Sequence, residues 1–388
     1  MSGKDISGKR YFTLSDEQRL NWLRLIRSQN VGPATFRDLI SGFGTAAAAI
    51  EALPELAKSG GLPAKIKICP VEDAEVELRQ AEKIGARFIT LGEPDYPPIL
   101  RHSDQSPPVI CIKGNIDILH EKCVGIVGSR NCSVAGTKLT QRFAGQLGEK
   151  GYTIVSGLAR GIDTAAHRAS LLTGTAAIFA GGIDHIFPEE NTNLASSILD
   201  NNGICVTEMP IGWQPKAIDF PRRNRIVTGL SLGVIVVEAA KRSGSLITAR
   251  LANEIGRLVM AVPGSPLDPR SEGTNGLIRN GATLITNIED VIDALTPLHA
   301  KEDNDGFIYD IFEGEETLPL EGGEPTYPEN TDENMRQAII TALGPSPTEI
   351  DDIIRFTNAT AGQVQLVLLE LSIAGKLEHH TGNRVSLI

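Results

Sequence analysis

The densest cluster of chemically capable side chains is Phe220-Pro221-Arg222-Arg223-Asn224-Arg225, preceded by Lys216. Its three guanidinium groups within four residues are planar, permanently charged forks that match phosphate oxygens in pairs. They could instead decorate a salt-bridged surface helix. Phosphate contact is favoured, because an arginine cluster at a strand-to-helix turn of a nearly neutral domain makes a local positive patch. Phe220 beside them is either a stacking platform for a base or a core side chain.

Glycine turns follow three β-rich runs: Gly128-Ser129-Arg130, Ser156-Gly157-Leu158-Ala159-Arg160-Gly161 and Gly181-Gly182. Glycine lets the backbone approach a phosphate, and the hydroxyls, amides and arginines supply donors. A later turn, Lys241-Arg242-Ser243-Gly244-Ser245, adds two cations and a hydroxyl-rich helix start. These turns predict an anion site without naming the anion. No G-x-G-x-x-G string follows the first run, so a dinucleotide cofactor is not expected, nor any other.

Catalytic candidates are weaker. Asp163 and His167 are four apart on one helical face, and Glu208, Asp219 and Glu238 lie near strand ends, but no nucleophile motif completes a set. Asp163 and His167 therefore read as structural, and no catalytic residue is assigned. His379-His380 is too isolated to hold a metal, which wants three or four ligands. Gly3-x-x-x-x-Gly8-Lys9 imitates a P-loop but has Arg10 where a hydroxyl should bind magnesium, and no strand precedes it, so it reads as a tail.

The elements that must position these residues follow from periodicity. From 122 to 295, short apolar runs alternate with helical ones, which asks for a mainly parallel, doubly wound Rossmann-like sheet. Strands are expected at 123–127, 152–155, 176–180, 204–207, 234–238, 258–262 and 283–285, and helices at 137–147, 162–172, 191–199, 223–230, 245–255 and 288–295. Residues 13 to about 60 read as helices broken at Val31-Gly32-Pro33-Ala34, a packing module similar to helix-hairpin-helix or SAM-like domains. Val71–Ile84 adds a helix, and Tyr96-Pro97-Pro98-Ile99-Leu100 should be extended. Helices at 334–343, 347–356 and 361–375 followed by a hairpin at 376–388 make a winged-helix pattern. Its third helix has no basic residue before Lys376, which points to protein contact rather than DNA reading. The expected domains are thus an N-terminal helical one over 1–85, the sheet domain with an extended lead-in over 86–300, a linker over 301–332 and the winged helix over 333–388.

The chain has 388 residues, 37 basic against 48 acidic side chains, and a net charge of −11. Acidity argues against nucleic acid until it is located: 301–332 holds eleven acids against Lys301 alone, a charge of −10. With its glycines and prolines, that segment reads as a flexible, self-repelling linker. No apolar run is long enough to span a bilayer, and the five cysteines are widely spaced. A soluble cytoplasmic protein with reduced thiols is expected.

Taken in order, the strings Val127-Gly128-Ser129-Arg130, Ser156-Gly157-Leu158-Ala159-Arg160-Gly161-Ile162-Asp163 with Ala166-His167, Gly181-Gly182-Ile183-Asp184, Phe220-Pro221-Arg222-Arg223-Asn224-Arg225-Ile226, Val237-Glu238-Ala239 with Ser243-Gly244-Ser245-Leu246-Ile247-Thr248-Ala249, and Val262-Pro263-Gly264 resemble the DNA-processing protein A family, DprA or Smf. The resemblance implies binding and protection of incoming single-stranded DNA in natural transformation, loading of the RecA recombinase, and dimers formed through the Rossmann-like domain. It assigns Arg130 and Phe220 to Arg225, with Lys216 and Arg160 as helpers, to the strand-binding pocket. Pro188-Glu189-Glu190-Asn191 departs from expectation by placing acids near that path. The rival class is a nucleoside-monophosphate hydrolase of the lysine-decarboxylase-like group, whose P-G-G-x-G-T-x-x-E string is absent from 237–248.

Overall fold

The computed structural model describes residues 2–4, 10–12, 14–62, 65–101, 103, 106–299, 331–380 and 382–388. They form two compact units. One holds the chain up to Val76, the 92–94 turn and the C-terminal module; the other holds Glu77–Leu91 and the chain from Asp95 through the sheet domain. Most of the acidic 301–332 stretch lies outside the described residues.

The first unit opens with an antiparallel pair, β1 (Ser2–Lys4) and β2 (Arg10–Phe12), where the P-loop-like string falls with its middle outside the described residues. Helix α1 (Asp16–Ile26) starts at a capping box in which Ser15 and Gln18 each accept from the other's backbone N–H. Gly32 and Pro33 then start α2 (Pro33–Phe43), proline sitting where a helix needs no N–H. Thr45 caps α3 (Ala46–Ser59). Trp22 and Phe36 meet edge-on at 4.9 Å inside a core of Leu23, Leu25, Leu39, Ile40 and Leu53. The unit boundary falls within α4 (Val71–Lys83).

The second unit is built on nine strands: β3 (Arg87–Thr90), β4 (Val109–Gly114), β5 (Cys123–Val127), β6 (Thr153–Ser156), β7 (Thr175–Ile178), β8 (Ile204–Thr207), β9 (Gly233–Val236), β10 (Leu258–Ala261) and β11 (Thr283–Leu284). Their order is β11-β10-β9-β5-β6-β7-β8-β4-β3, parallel from β11 to β8, with β4 and β3 added antiparallel. Helices α5 (Pro98–Arg101), α6 (Val134–Glu149), α7 (Ile162–Ala169), α8 (Thr192–Asp200), α9 (Asp219–Gly229), α10 (Gly244–Glu254), α11 (Glu272–Arg279) and α12 (Ile288–His299) complete it. The chain winds outward from β5 to β8 and returns to β9 on the other side of β5, so the sheet switches direction between β5 and β9. β5 is buried along its whole length, as a strand covered on both faces must be. Val124, Ile126, Phe143, Ile154, Ile235 and Met260 share its core.

The doubly wound sheet follows the alternation in the sequence, with strand ends displaced by a residue or two. Tyr96–Leu100 is a correction: Pro98 starts the helical turn α5 instead of extending the chain, while the buried Tyr96 donates from Oη to Pro107 O at 2.8 Å. Strands β3 and β4 and helix α11 were not expected.

The C-terminal module is a winged helix: α13 (Glu333–Ala342), β12 (Thr348–Glu349), α14 (Ile350–Thr357), α15 (Ala361–Ile373), β13 (Leu377–His380) and β14 (Arg384–Leu387). Thr331 is buried and Asp332 caps α13, so these last residues of the expected linker belong to the module. Helix α15 is apolar all round and needs cover on two sides. Val364, Val367, Leu368 and Leu371 face the module's own core with Ile339, Ile353 and Val385. Its other side packs on α2 and α3, where Asn30 Nδ2 donates to Ile373 O and Lys376 Nζ to Gly60 O, both at 2.9 Å. A Cβ on Gly60 would lie 2.0 Å from Glu370 O, which is the close approach that glycine permits. The protein partner of this third helix, among the described residues, is the N-terminal helical module of the same chain.

Candidate nucleic-acid interface

Gly128, Ser129 and Arg130 leave the C-terminal end of β5, beside the switch where open α/β sheets receive ligands. Here the protein fills the helix start with its own carboxylate. Glu238, from the end of β9, accepts from Ser133 N at 2.9 Å and Ser133 Oγ at 2.5 Å, and packs so close that a Cβ on Gly136 would lie 2.6 Å from its carboxyl carbon. Gly128 is needed for a similar reason: a Cβ there would meet Ile162 at 2.7 Å.

The second turn is also occupied from within. Asp163 Oδ2 accepts from Gly157 N at 3.1 Å and Ala159 N at 3.3 Å, while Ser156 Oγ donates to Ile126 O at 2.6 Å. Leu158 adopts a positive φ of 56°, a strained choice for a branched residue, and its carbonyl accepts from Asn191 Nδ2 at 2.8 Å. His167 does not pair with Asp163: its Nδ1 bonds Thr175 Oγ1 at 2.7 Å, and burial, with the Arg223 charge, pushes the imidazole down to about 3. At the third turn Gly182 N donates to Trp213 O at 2.9 Å, and a Cβ on Gly182 would lie 2.5 Å from Pro210 O. These glycines admit neighbouring protein segments.

The arginines of α9 are divided among different tasks. Arg223 is 5% exposed and donates to Gly157 O and Ile178 O, with Nε reaching Asn224 Oδ1 at 3.2 Å. Burial pulls it down to about 10, so it stays charged at neutral pH. Arg222 and Arg225 both ion-pair with Glu208 from the end of β8. Arg160 pairs with Glu190 at 2.8 Å, both half exposed, and the exposed Lys241 lies 3.5 Å from Glu272. Ser243 Oγ caps α10 by accepting from Ser245 N at 3.3 Å, next to exposed Arg242 and Gly244.

What remains open is a cation–aromatic surface. The exposed Arg130 guanidinium sits 5.2 Å from the centre of the Phe220 ring, and Lys216 Nζ sits 4.7 Å from that of Trp213. Among the described residues no carboxylate ion-pairs with Arg130 or Lys216. Asp219 Oδ2 ties the two together, accepting from Trp213 Nε1 at 2.9 Å and Lys216 N at 2.8 Å one residue before Phe220. The Phe187 ring stands 5.4 Å from that of Phe220. Sequence reasoning missed Phe187 and Trp213; the available signal was an aromatic residue in each of two polar, Gly- and Pro-containing loops.

Comparison with known proteins is consistent along the chain. Residues 87–296 match the family model of the DNA recombination-mediator protein A, residues 16–80 that of a DprA-like N-terminal HHH domain, and residues 323–383 that of a DprA winged helix domain. The chain is 36% identical to protein Smf of Escherichia coli K12 over 322 residues, covering 82% of each. It is 46% identical over 199 residues to the DNA processing protein DprA of Streptococcus pneumoniae R6, covering 51% of this chain and 70% of that one. The X-ray structure of DprA from Streptococcus pneumoniae superposes with a TM-score of 0.59 at 34% identity, over 73% of this chain and 98% of that one. DNA processing protein A from Helicobacter pylori, whose structure concerns its single-stranded DNA binding mode, gives 0.50 at 30% identity, over 54% and 96%. With three family models in register and a relative aligned over four-fifths of its length, the chain belongs to the DprA/Smf family of DNA-processing proteins.

Proposed function

We propose that this chain binds single-stranded DNA without sequence preference, at the strand ends where Arg130 and Lys216 are exposed beside the partly exposed Phe220 and Trp213. The observation that carries the proposal is the pair of cations that ion-pair with no carboxylate among the described residues, each lying over an aromatic ring. Cations for the backbone and rings for the bases are the two requirements of sequence-tolerant single-strand binding. Arg160, paired with the half-exposed Glu190, and Arg222 add weaker phosphate contacts at the rim. Arg223, Arg225 and the glycine turns give the site its shape. Lys241, Arg242 and the α10 start extend the anion-binding surface.

In the wider role that family membership suggests, the chain protects incoming DNA in natural transformation and presents it to RecA, as a cytoplasmic homodimer formed through the sheet domain. No helix among the described residues is long and apolar enough to cross a membrane. The hydrolase reading is disfavoured because Glu238, its acid candidate, is held by Ser133 against the start of α6. The test is fluorescence anisotropy with an oligo-dT strand and a duplex of equal length, using wild type and an Arg130→Ala, Lys216→Ala double variant. The strand should bind more tightly than the duplex, and the variant should bind the strand more weakly than wild type. Equal affinity for both forms, or an unaffected double variant, would overturn the proposal.

A further inference from the structure

We propose that Phe187 is a base-stacking residue, which receives a nucleobase of the bound strand on its open face next to the Arg130–Phe220 pair. The inference rests on the single-strand reading above and adds a base subsite to it. Phe187 is 51% exposed, and its ring meets that of Phe220 at 5.4 Å and 60°, a tilted aromatic pair that leaves about half of its surface free. Phe187 and Phe356 are the exposed phenylalanines among those whose burial is described, and Phe187 is set against another ring.

Its position is fixed by the segment that carries it. Pro188 is buried beside it, and Asn191, 3% exposed, donates from Nδ2 to Leu158 O at 2.8 Å and Thr164 Oγ1 at 2.9 Å. The ring is therefore presented on a pinned segment, and little ordering remains to oppose stacking. The Arg130 guanidinium lies 5.2 Å from the centre of the Phe220 ring, so a phosphate there and a base on Phe187 are served by adjacent groups. Every base has a π face, which makes such a contact sequence-tolerant, and in a duplex that face is covered by neighbouring pairs. Phe187 thus supplies a physical source for strand-over-duplex selectivity that the arginines, which bind either form, do not.

The experiment measures binding of full-length wild type, Phe187→Ala, Phe187→Tyr and Arg130→Ala to oligo-dT and to an abasic strand of equal length. The loss of one stack should weaken oligo-dT binding by Phe187→Ala roughly 5- to 150-fold. Affinity for the abasic strand and the salt dependence should be unchanged, and Phe187→Tyr should restore wild-type binding. Arg130→Ala should weaken both strands. If Phe187→Ala binds oligo-dT like wild type while Arg130→Ala does not, the stacking role is overturned and the single-strand reading survives. Equal losses on oligo-dT and the abasic strand would make Phe187 a structural support and overturn the proposal as well. If neither variant weakens binding, the single-strand reading itself falls.

Discussion

Replacing Arg223 with alanine separates two uses of an arginine that look alike in sequence. As a phosphate contact, it would be lost at no cost to the fold. In the structure its guanidinium is buried and donates to Gly157 O and Ile178 O, and its charge only partly offsets the burial that raises the Asp163 carboxyl. Each hydrogen bond from a charged donor contributes about 1.5–3 kcal/mol. The two together contribute about 3–6 kcal/mol. In a domain of this size, about 1 kcal/mol shifts the melting temperature by roughly 2–4 °C. Arg223→Ala should therefore melt about 6–24 °C below wild type in a circular dichroism scan. Binding of oligo-dT measured well below that temperature should fall less than in Arg130→Ala. A variant with wild-type melting and abolished binding would refute the structural assignment of Arg223.

Glu190→Gln should free Arg160 and raise single-strand affinity by up to about fivefold at low salt, since a half-exposed pair is worth at most about 1 kcal/mol; weaker binding in an anisotropy titration would show that Glu190 assists the site. His167 supplies a pH dependence. Its folded value is pushed from 6.5 to about 3, so between those pH values the unfolded chain holds a proton that the folded chain refuses, and stability falls as pH drops. Acidification from pH 6.5 to 5 should remove about 1.7 kcal/mol, and His167→Gln should flatten that slope in urea titrations; parallel profiles would contradict the assignment. Gly60→Val should drive a side chain into Glu370 O and destabilise the α3–α15 contact by about 1–3 kcal/mol, seen as faster amide exchange in α15; unchanged protection would argue against this packing.

The doubly wound sheet was legible because its strands are continuous apolar runs, such as Cys123–Val127, ending at glycine turns. The winged helix was legible from helical periodicity and a glycine hairpin, whereas the packing of α15 on α2 and α3 was not. Strand β3, at the sheet edge, and β4 beside it escaped because four and six residues are too short for a period to show. Helix α11 escaped because Gly273 and Gly276 break its pattern. Within the site, residue types located the surface but not its division of labour. Whether an arginine is free depends on partners distant in sequence: Glu208 meets Arg222 and Arg225 only once β8 and α9 are folded, and Gly157 meets Arg223 across 66 residues. Phe187 was passed over for the acids that follow it, since its pairing with Phe220 spans separate turns.

On the proposed reading, Arg130 and Lys216, which ion-pair with no carboxylate among the described residues, hold the phosphates of a single strand. The direct measurement is the slope of log affinity for oligo-dT against log salt concentration, for wild type and the Arg130→Ala, Lys216→Ala variant. Each phosphate contact on a single strand contributes about 0.7 to that slope. The account predicts weaker binding and a slope shallower by about 1.4 in the variant; an unchanged affinity and slope would contradict it.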